Sequence, residues 1–147
     1  MKVSTKGRYA LRLMIDLGMN GGIDEYISLK DISGRQNISV KYLEQIVTPL
    51  HRAGLVRSIR GAQGGYRLTR EPKKYTSGDI LRSIEGSFAP IACLEGDVNE
   101  CQRYEDCATV GFWEGMYRAI NDYMESVTLQ DLIEEHHKNR NATCNDR

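Results

Sequence analysis

No stretch of this 147-residue chain is apolar for long enough to span a bilayer, which excludes a transmembrane helix. The opening segment MKVSTKGRYALRLM is too polar for a signal peptide and has no cleavage-like site. A cytoplasmic protein is therefore expected, with its four cysteines reduced or metal-bound and not paired in disulfides. Neither zinc-ribbon spacing nor the C-x2-C-x2-C run of a ferredoxin is present. The glycine-rich segment Gly61-Ala62-Gln63-Gly64-Gly65 joins strand to strand and lacks a Lys-Ser/Thr pair, so it is not a P-loop. The histidines His51, His136 and His137 have no patterned nucleophile or carboxylate partner, and an enzyme is not expected.

Net charge is also missing, with 20 Lys and Arg against 20 Asp and Glu, but that balance hides a split. Up to Tyr75 there are 14 basic residues against 6 acidic ones, and from Thr76 onward 6 against 14. A basic amino-terminal half suits phosphate neutralisation on nucleic acid. The acidic half needs another role.

The segment from Ile38 to Leu68 organises the chain. Ser39 opens a helix in which Leu43, Ile46, Val47 and Leu50 recur at helical spacing and form one apolar face. The opposite face carries Lys41, Tyr42, Glu44, Gln45, Thr48 and Arg52, side chains suited to phosphates and base edges. Pro49 is expected to kink or tighten the last turns, and Gly54 to stop the helix. Strands over Leu55–Arg60 and Tyr66–Leu68 then flank the glycine-rich tip, with Arg57, Arg60 and Arg67 adding positive charge. A recognition helix beside a basic hairpin is a winged helix-turn-helix. The competing reading is an amphipathic surface helix packed beside a hairpin.

The flanking elements agree with the first reading. Ser4 or Thr5 caps a helix to about Gly18 that turns Ala10, Leu13, Met14 and Leu17 inward. Lys6, Arg8 and Arg12 lie early in it, either as a solvated face or as a phosphate contact at the helix start. Ser28 with Asp31 opens a second short helix that stops between Gly34 and Asn37, leaving the short turn a helix-turn-helix requires. Thr76 with Asp79 opens another, ended by Gly86. The expected class is mainly α with a small β-hairpin wing, in four parts. Residues 1–85 are the DNA-binding domain, 86–108 a cysteine-containing loop, 109–137 dimerisation helices, and 138–147 a polar, disordered tail. The dimer assignment rests on Trp113, Met116, Tyr117, Ile120, Met124 and Val127, an apolar stripe over several turns that needs a partner. Folding back on its own domain would also cover it.

Cys93, Cys101 and Cys107 share the acidic loop, and three thiols on one flexible segment can converge on zinc, Cu(I) or an iron–sulfur centre. Free or redox-active thiols are the other reading. Cys144 is the remaining thiol, in the polar tail.

The motifs KGRYA, ISVKYLEQI and AGLVRSIRGAQGGYRL, with the loop cysteines followed by Phe112-Trp113, resemble the bacterial IscR-type transcriptional regulators. That group takes in NsrR-type nitric-oxide sensors and CymR-type regulators of cysteine metabolism. The likeness runs in order through nearly the whole chain to about Ile133. It implies a homodimer that places two recognition helices in successive major grooves of a palindromic operator. It implies base contacts from Ser39, Tyr42, Glu44 and Gln45, a minor-groove contact from Arg60, and operator discrimination by Glu44. Lys6 and Lys41 complete the expected DNA contacts.

The likeness also makes Cys93, Cys101 and Cys107 ligands of an iron–sulfur cluster, [2Fe-2S] in preference to [4Fe-4S]. Two departures leave the fourth ligand unassigned: Val110 stands where some relatives have histidine, and Arg8 where others have an acidic residue. The implied function is a repressor sensing cluster, redox or nitric-oxide status. CymR-type members lack the three cysteines, which argues for the sensor branch. The alternative is a CymR-like regulator of cysteine or sulfur metabolism that works through a partner enzyme and keeps its cysteines as redox thiols. A small electron carrier is disfavoured, because a carrier has no use for the basic half.

Overall fold

The computed structural model describes residues 2–145. Helix α1 (Thr5–Asn20), α2 (Leu29–Gln36) and α3 (Val40–Arg52) are followed by strands β1 (Val56–Ile59) and β2 (Gly65–Leu68), then α4 (Ser77–Glu85), α5 (Val110–Ser126) and α6 (Leu129–Asn145). The mainly helical class with a small wing holds.

Each early helix begins where a side chain can satisfy its free N–H groups. Ser4 accepts from Gly7, Ser28 from Asp31 and Ser39 from Tyr42. At α4, Thr76 and Asp79 form a reciprocal capping box. Asn37 ends α2 in the left-handed region at φ 54°, and that single residue turns the chain towards α3. Pro49 lies inside an unbroken α3, neither ending nor splitting it.

Leu13, Met14 and Leu17 of α1, Ile32 of α2, Leu43, Ile46 and Leu50 of α3, and Leu68 of β2 are all fully buried in one core. The strands pair antiparallel, Val56 opposite Leu68 and Ile59 opposite Gly65. Ile27 extends this hairpin by exchanging two backbone hydrogen bonds with Tyr66, both at 2.8 Å. Buried Tyr75 closes the base of the wing: its hydroxyl donates to the Leu55 carbonyl at 2.7 Å and accepts from the Thr69 N–H at 2.8 Å.

The carboxy-terminal half departs from the expected division. Leu129 and Ile133 of α6 are buried in the main core beside α1, so α6, expected among the dimerisation helices, packs onto the amino-terminal core. The helix also continues to Asn145, through most of the segment expected to be a disordered tail. No glycine or proline interrupts residues 138–145, so nothing breaks the helix once Leu129 and Ile133 have anchored it. Asp146, Arg147 and the side chain of Cys144 lie outside the described residues.

Helix α5 touches the body mainly through its second half, where Met124 joins Leu81 and Phe88 in a smaller cluster flanked by Tyr117 and Ile120. Phe112 is 62% exposed and Tyr123 71% exposed on the same helix.

Candidate nucleic-acid interface and cysteine loop

The apolar face of α3 is held down by Leu43, Ile46, Val47 and Leu50, so Lys41, Glu44 and Gln45 are exposed on the far side. That division follows from the 3.6-residue period alone. Ser39 is exposed at the helix start, where its hydroxyl caps the Tyr42 N–H at 3.1 Å. Tyr42 is half-buried, its ring meeting Tyr9 edge-on at 5.7 Å between centroids. The predicted reading residues therefore share one helix face, with Tyr42 braced by α1.

In the wing, Arg57 and Arg60 are exposed. Arg67, counted with them from sequence, has a structural job. Its guanidinium donates to the Ile23 carbonyl at 2.7 Å and stacks over Tyr26 at 5.2 Å, fixing the hairpin to the loop after α1. Gly65 is needed here, because a Cβ at that position would run into the Ile27 carbonyl. A Cβ on Gly64 would meet the Gly61 carbonyl at 2.9 Å. The tip is thus glycine-rich for close backbone approach, as a wing requires.

The start of α1 does not present a free anion site. Glu85 from α4 accepts from the Ser4 N–H at 2.9 Å and from its hydroxyl, so a carboxylate already occupies that helix end. Gly7 makes room for it. Lys6 remains available, half-buried beside this contact. Arg12 is not free at the helix start, because it holds Gln36 through its side-chain oxygen at 3.2 Å and its carbonyl.

A tether that the sequence pattern does not announce joins α1 to α2. Asp16 is 2% exposed and accepts from Arg35 at 2.7 and 3.0 Å and from the Gln36 amide at 2.9 Å. Its hydrogen bond and charge raise the Arg35 pKa further. The one sequence signal was an acidic residue beside Leu17, next to the inward stripe of α1.

The cysteine loop leaves α4 at Gly86 and reaches α5 at Val110, with only a short 3-10 turn at Ala92–Leu94. Cys93 and Cys101 are neighbours: desolvation and then the Cys101 thiol push the Cys93 pKa up. Cys107 behaves oppositely. Its sulfur lies 3.7 Å from the Thr109 hydroxyl, and the backbone and side chain of Thr109 lower its pKa. Asn99 accepts from the Cys101 N–H at 2.9 Å, while its own buried amide nitrogen has no partner. The Tyr104 hydroxyl donates to Glu114 at 2.6 Å, tying the loop to α5.

Soft thiol donors suit an iron–sulfur centre, and Cys93 feels both of the other loop thiols, Cys101 more strongly than Cys107. Among the described residues, no three His, Cys, Asp or Glu side chains converge on a metal-sized site. Val110 and Arg8 are chemically unable to complete such a set. The three thiols therefore have no fourth ligand from either of those two positions.

A short helix-turn-helix whose second helix exposes polar residues, flanked by a basic hairpin, defines a winged helix-turn-helix DNA-binding protein. The family profile described as Rrf2, iron-dependent transcriptional regulator, matches residues 3–135. The chain belongs to the Rrf2 family of transcriptional regulators. The regulator CymR of Bacillus subtilis strain 168 is 46% identical over 132 residues, which are 90% of this chain and 89% of CymR. A solved structure of CymR from B. subtilis, titled the global cysteine regulator, superposes with a TM-score of 0.73 at 41% identity, covering 92% of this chain and 98% of that one. The solved T. potens IscR superposes with a TM-score of 0.71, also at 41% identity, covering 92% of this chain and 88% of that one. Comparable likeness to two differently named regulators shows the family and the DNA-binding role. It leaves the signal to be argued from the loop.

Proposed function

We infer that this regulator is a homodimeric repressor of CymR-like type, serving cysteine or sulfur metabolism, with its loop cysteines acting as redox thiols. The observation carrying this reading is that Cys93 and Cys101 line one hollow of the loop, in a chain that is 46% identical to CymR. Two thiols side by side suit disulfide exchange. With a small external disulfide, one S–S bond forms between Cys93 and Cys101, one breaks in the reagent, and the reagent leaves as two thiols. The new bond shortens the loop that leads into α5. A partner metabolic enzyme is the second input of this reading.

Dimerisation is assigned to α5. Phe112, Met116 and Tyr123 are exposed along it, and an apolar cleft of about 300 Å³ lies at its root between Leu11, Leu81, Phe88 and Ile120. A second α5 seated there covers both, and pairs two recognition helices for a palindromic operator. On each half-site Lys41, Gln45 and Tyr42 reach the major groove, Arg60 the minor groove and Lys6 a phosphate. Ser39 adds a contact from the helix start. Glu44 discriminates by accepting from cytosine and repelling misplaced phosphate.

A second reading is favoured by the number of thiols and the likeness to T. potens IscR: a cluster-sensing regulator, with Cys93, Cys101 and Cys107 holding [2Fe-2S] in preference to [4Fe-4S] once the loop closes. Anaerobic purification followed by iron, acid-labile sulfide and free-thiol counts separates the two. Iron-free protein with a reversible loss of two thiols on treatment with a small disulfide supports the thiol reading. Stoichiometric iron and sulfide after anaerobic reconstitution overturns it.

A further inference from the structure

Helices α1, α2 and α6 border a cleft of about 720 Å³ lined by none of the cysteines, within the size of small-molecule sites. Its charged lining is Arg12, Arg35 and Arg140 against the single carboxylate of Asp16, with His136 on the α6 wall. Asp16 is spent: Arg35 and the Gln36 amide take its oxygens at 2.7–3.0 Å. The charge left over is therefore positive, from Arg12 on one wall and Arg140 on the other. Ile15 and Met19 give the floor an apolar strip.

We propose that this cleft is a binding site for a compact dianion, a dicarboxylate or a phosphate, clamped between the Arg12 and Arg140 guanidiniums. Guanidinium forks match carboxylate and phosphate oxygens alike. The position gives the site a route to the reading head. Arg12 holds the carbonyl of Gln36, the last residue of α2, directly before the left-handed Asn37 of the turn. Arg12 also stacks over Tyr9 at 5.0 Å, and Tyr9 packs on Tyr42 of α3. An anion that draws on Arg12 competes with both contacts, so its occupancy is felt at the turn and at Tyr42. The site owes nothing to the chemistry of the loop thiols.

The test is calorimetric titration of the full chain with inorganic phosphate and with succinate at constant ionic strength, using sodium chloride as the control salt. The result expected is saturable binding of one dianion per chain by at least one probe. Arg140→Ala, on the exposed outer part of α6, weakens it at least tenfold. Lys73→Ala, on the exposed turn before α4, leaves it unchanged. Backbone amide NMR shifts at Asn37 and Tyr42 follow the same saturation curve. The better probe assigns the dianion as phosphate or dicarboxylate. Heats that do not saturate, that chloride reproduces, or that Arg140→Ala leaves intact overturn the proposal. So does saturation without any shift at Asn37, which would break the link to the turn.

Discussion

Tyr75→Phe is expected to loosen the wing at its root. The Tyr75 hydroxyl donates to the Leu55 carbonyl at 2.7 Å and accepts from the N–H groups of Thr69 at 2.8 Å and Arg70 at 3.2 Å. Leu55 precedes β1 and Thr69 follows β2, so one oxygen fastens both ends of the hairpin. Phenylalanine fills the same space and leaves no cavity, so the loss is confined to hydrogen bonding. The stranded Leu55 carbonyl is buried and costs about 1–3 kcal/mol. The two half-buried amides rehydrate in part and add roughly 0.5 kcal/mol each, the low end for a net hydrogen bond. Together that is about 2–4 kcal/mol, or about 6–12 °C in Tm at roughly 3 °C per kcal/mol for a chain of this size. Circular-dichroism melts at one fixed protein concentration measure it, because the Tm of a dimer moves with concentration. The helical signal at 25 °C should be unchanged. A Tm within about 1 °C of wild type would refute the reasoning, since it would mean that the wing is held by its apolar contacts alone.

Asp16→Ala strands Arg35 and Gln36 and unties α2 from α1. Breaking a buried pair costs about 3–5 kcal/mol, but Arg35 is 40% exposed and can rehydrate, so denaturant melts should show a loss of about 2–3 kcal/mol. Lys6→Ala should flatten the log–log dependence of DNA affinity on salt by roughly 1, because its ammonium is the group assigned to a phosphate. An unchanged slope moves that residue off the backbone. Cys107, whose pKa is lowered by Thr109, should be alkylated by iodoacetamide faster than Cys93, whose pKa is raised beside Cys101. Its reaction should also persist to lower pH, and mass spectrometry at short times reads the order directly. Thr109→Val should slow Cys107 without affecting Cys93.

The parts of the fold that depend on local rules were legible in the sequence. Ser4, Ser28, Ser39 and Thr76 each cap the helix that the spacing of apolar residues predicts, because a cap and a 3.6-residue stripe are written within a few residues of each other. The wing was legible for the same reason, since its glycines sit between two short β-prone runs. What depends on long-range packing was not. Arg67 and Arg12 look like free positive charge in one dimension, yet Ile23 and Gln36 claim them. Glu85 fills the start of α1 from 81 residues away. The extent of α6 is not legible because its apolar pattern ends at Ile133, while the helix runs on to Asn145 through polar residues. The loop is the extreme case: cysteine spacing fixes which thiols are available, but a segment with one short turn does not fix which of them meet.

In the proposed mechanism α3 and the wing read DNA under the control of the loop thiols. Its most direct test is the affinity for a selected operator at fixed salt, with the protein fully reduced and after disulfide formation, in wild type and in Cys93→Ser/Cys101→Ser. The account predicts a change of at least about fivefold between the two states of wild type, the lower end of ordinary coupling between sites, and none in the double variant. Equal affinities in wild type, or a redox effect that survives in the double variant, would contradict it.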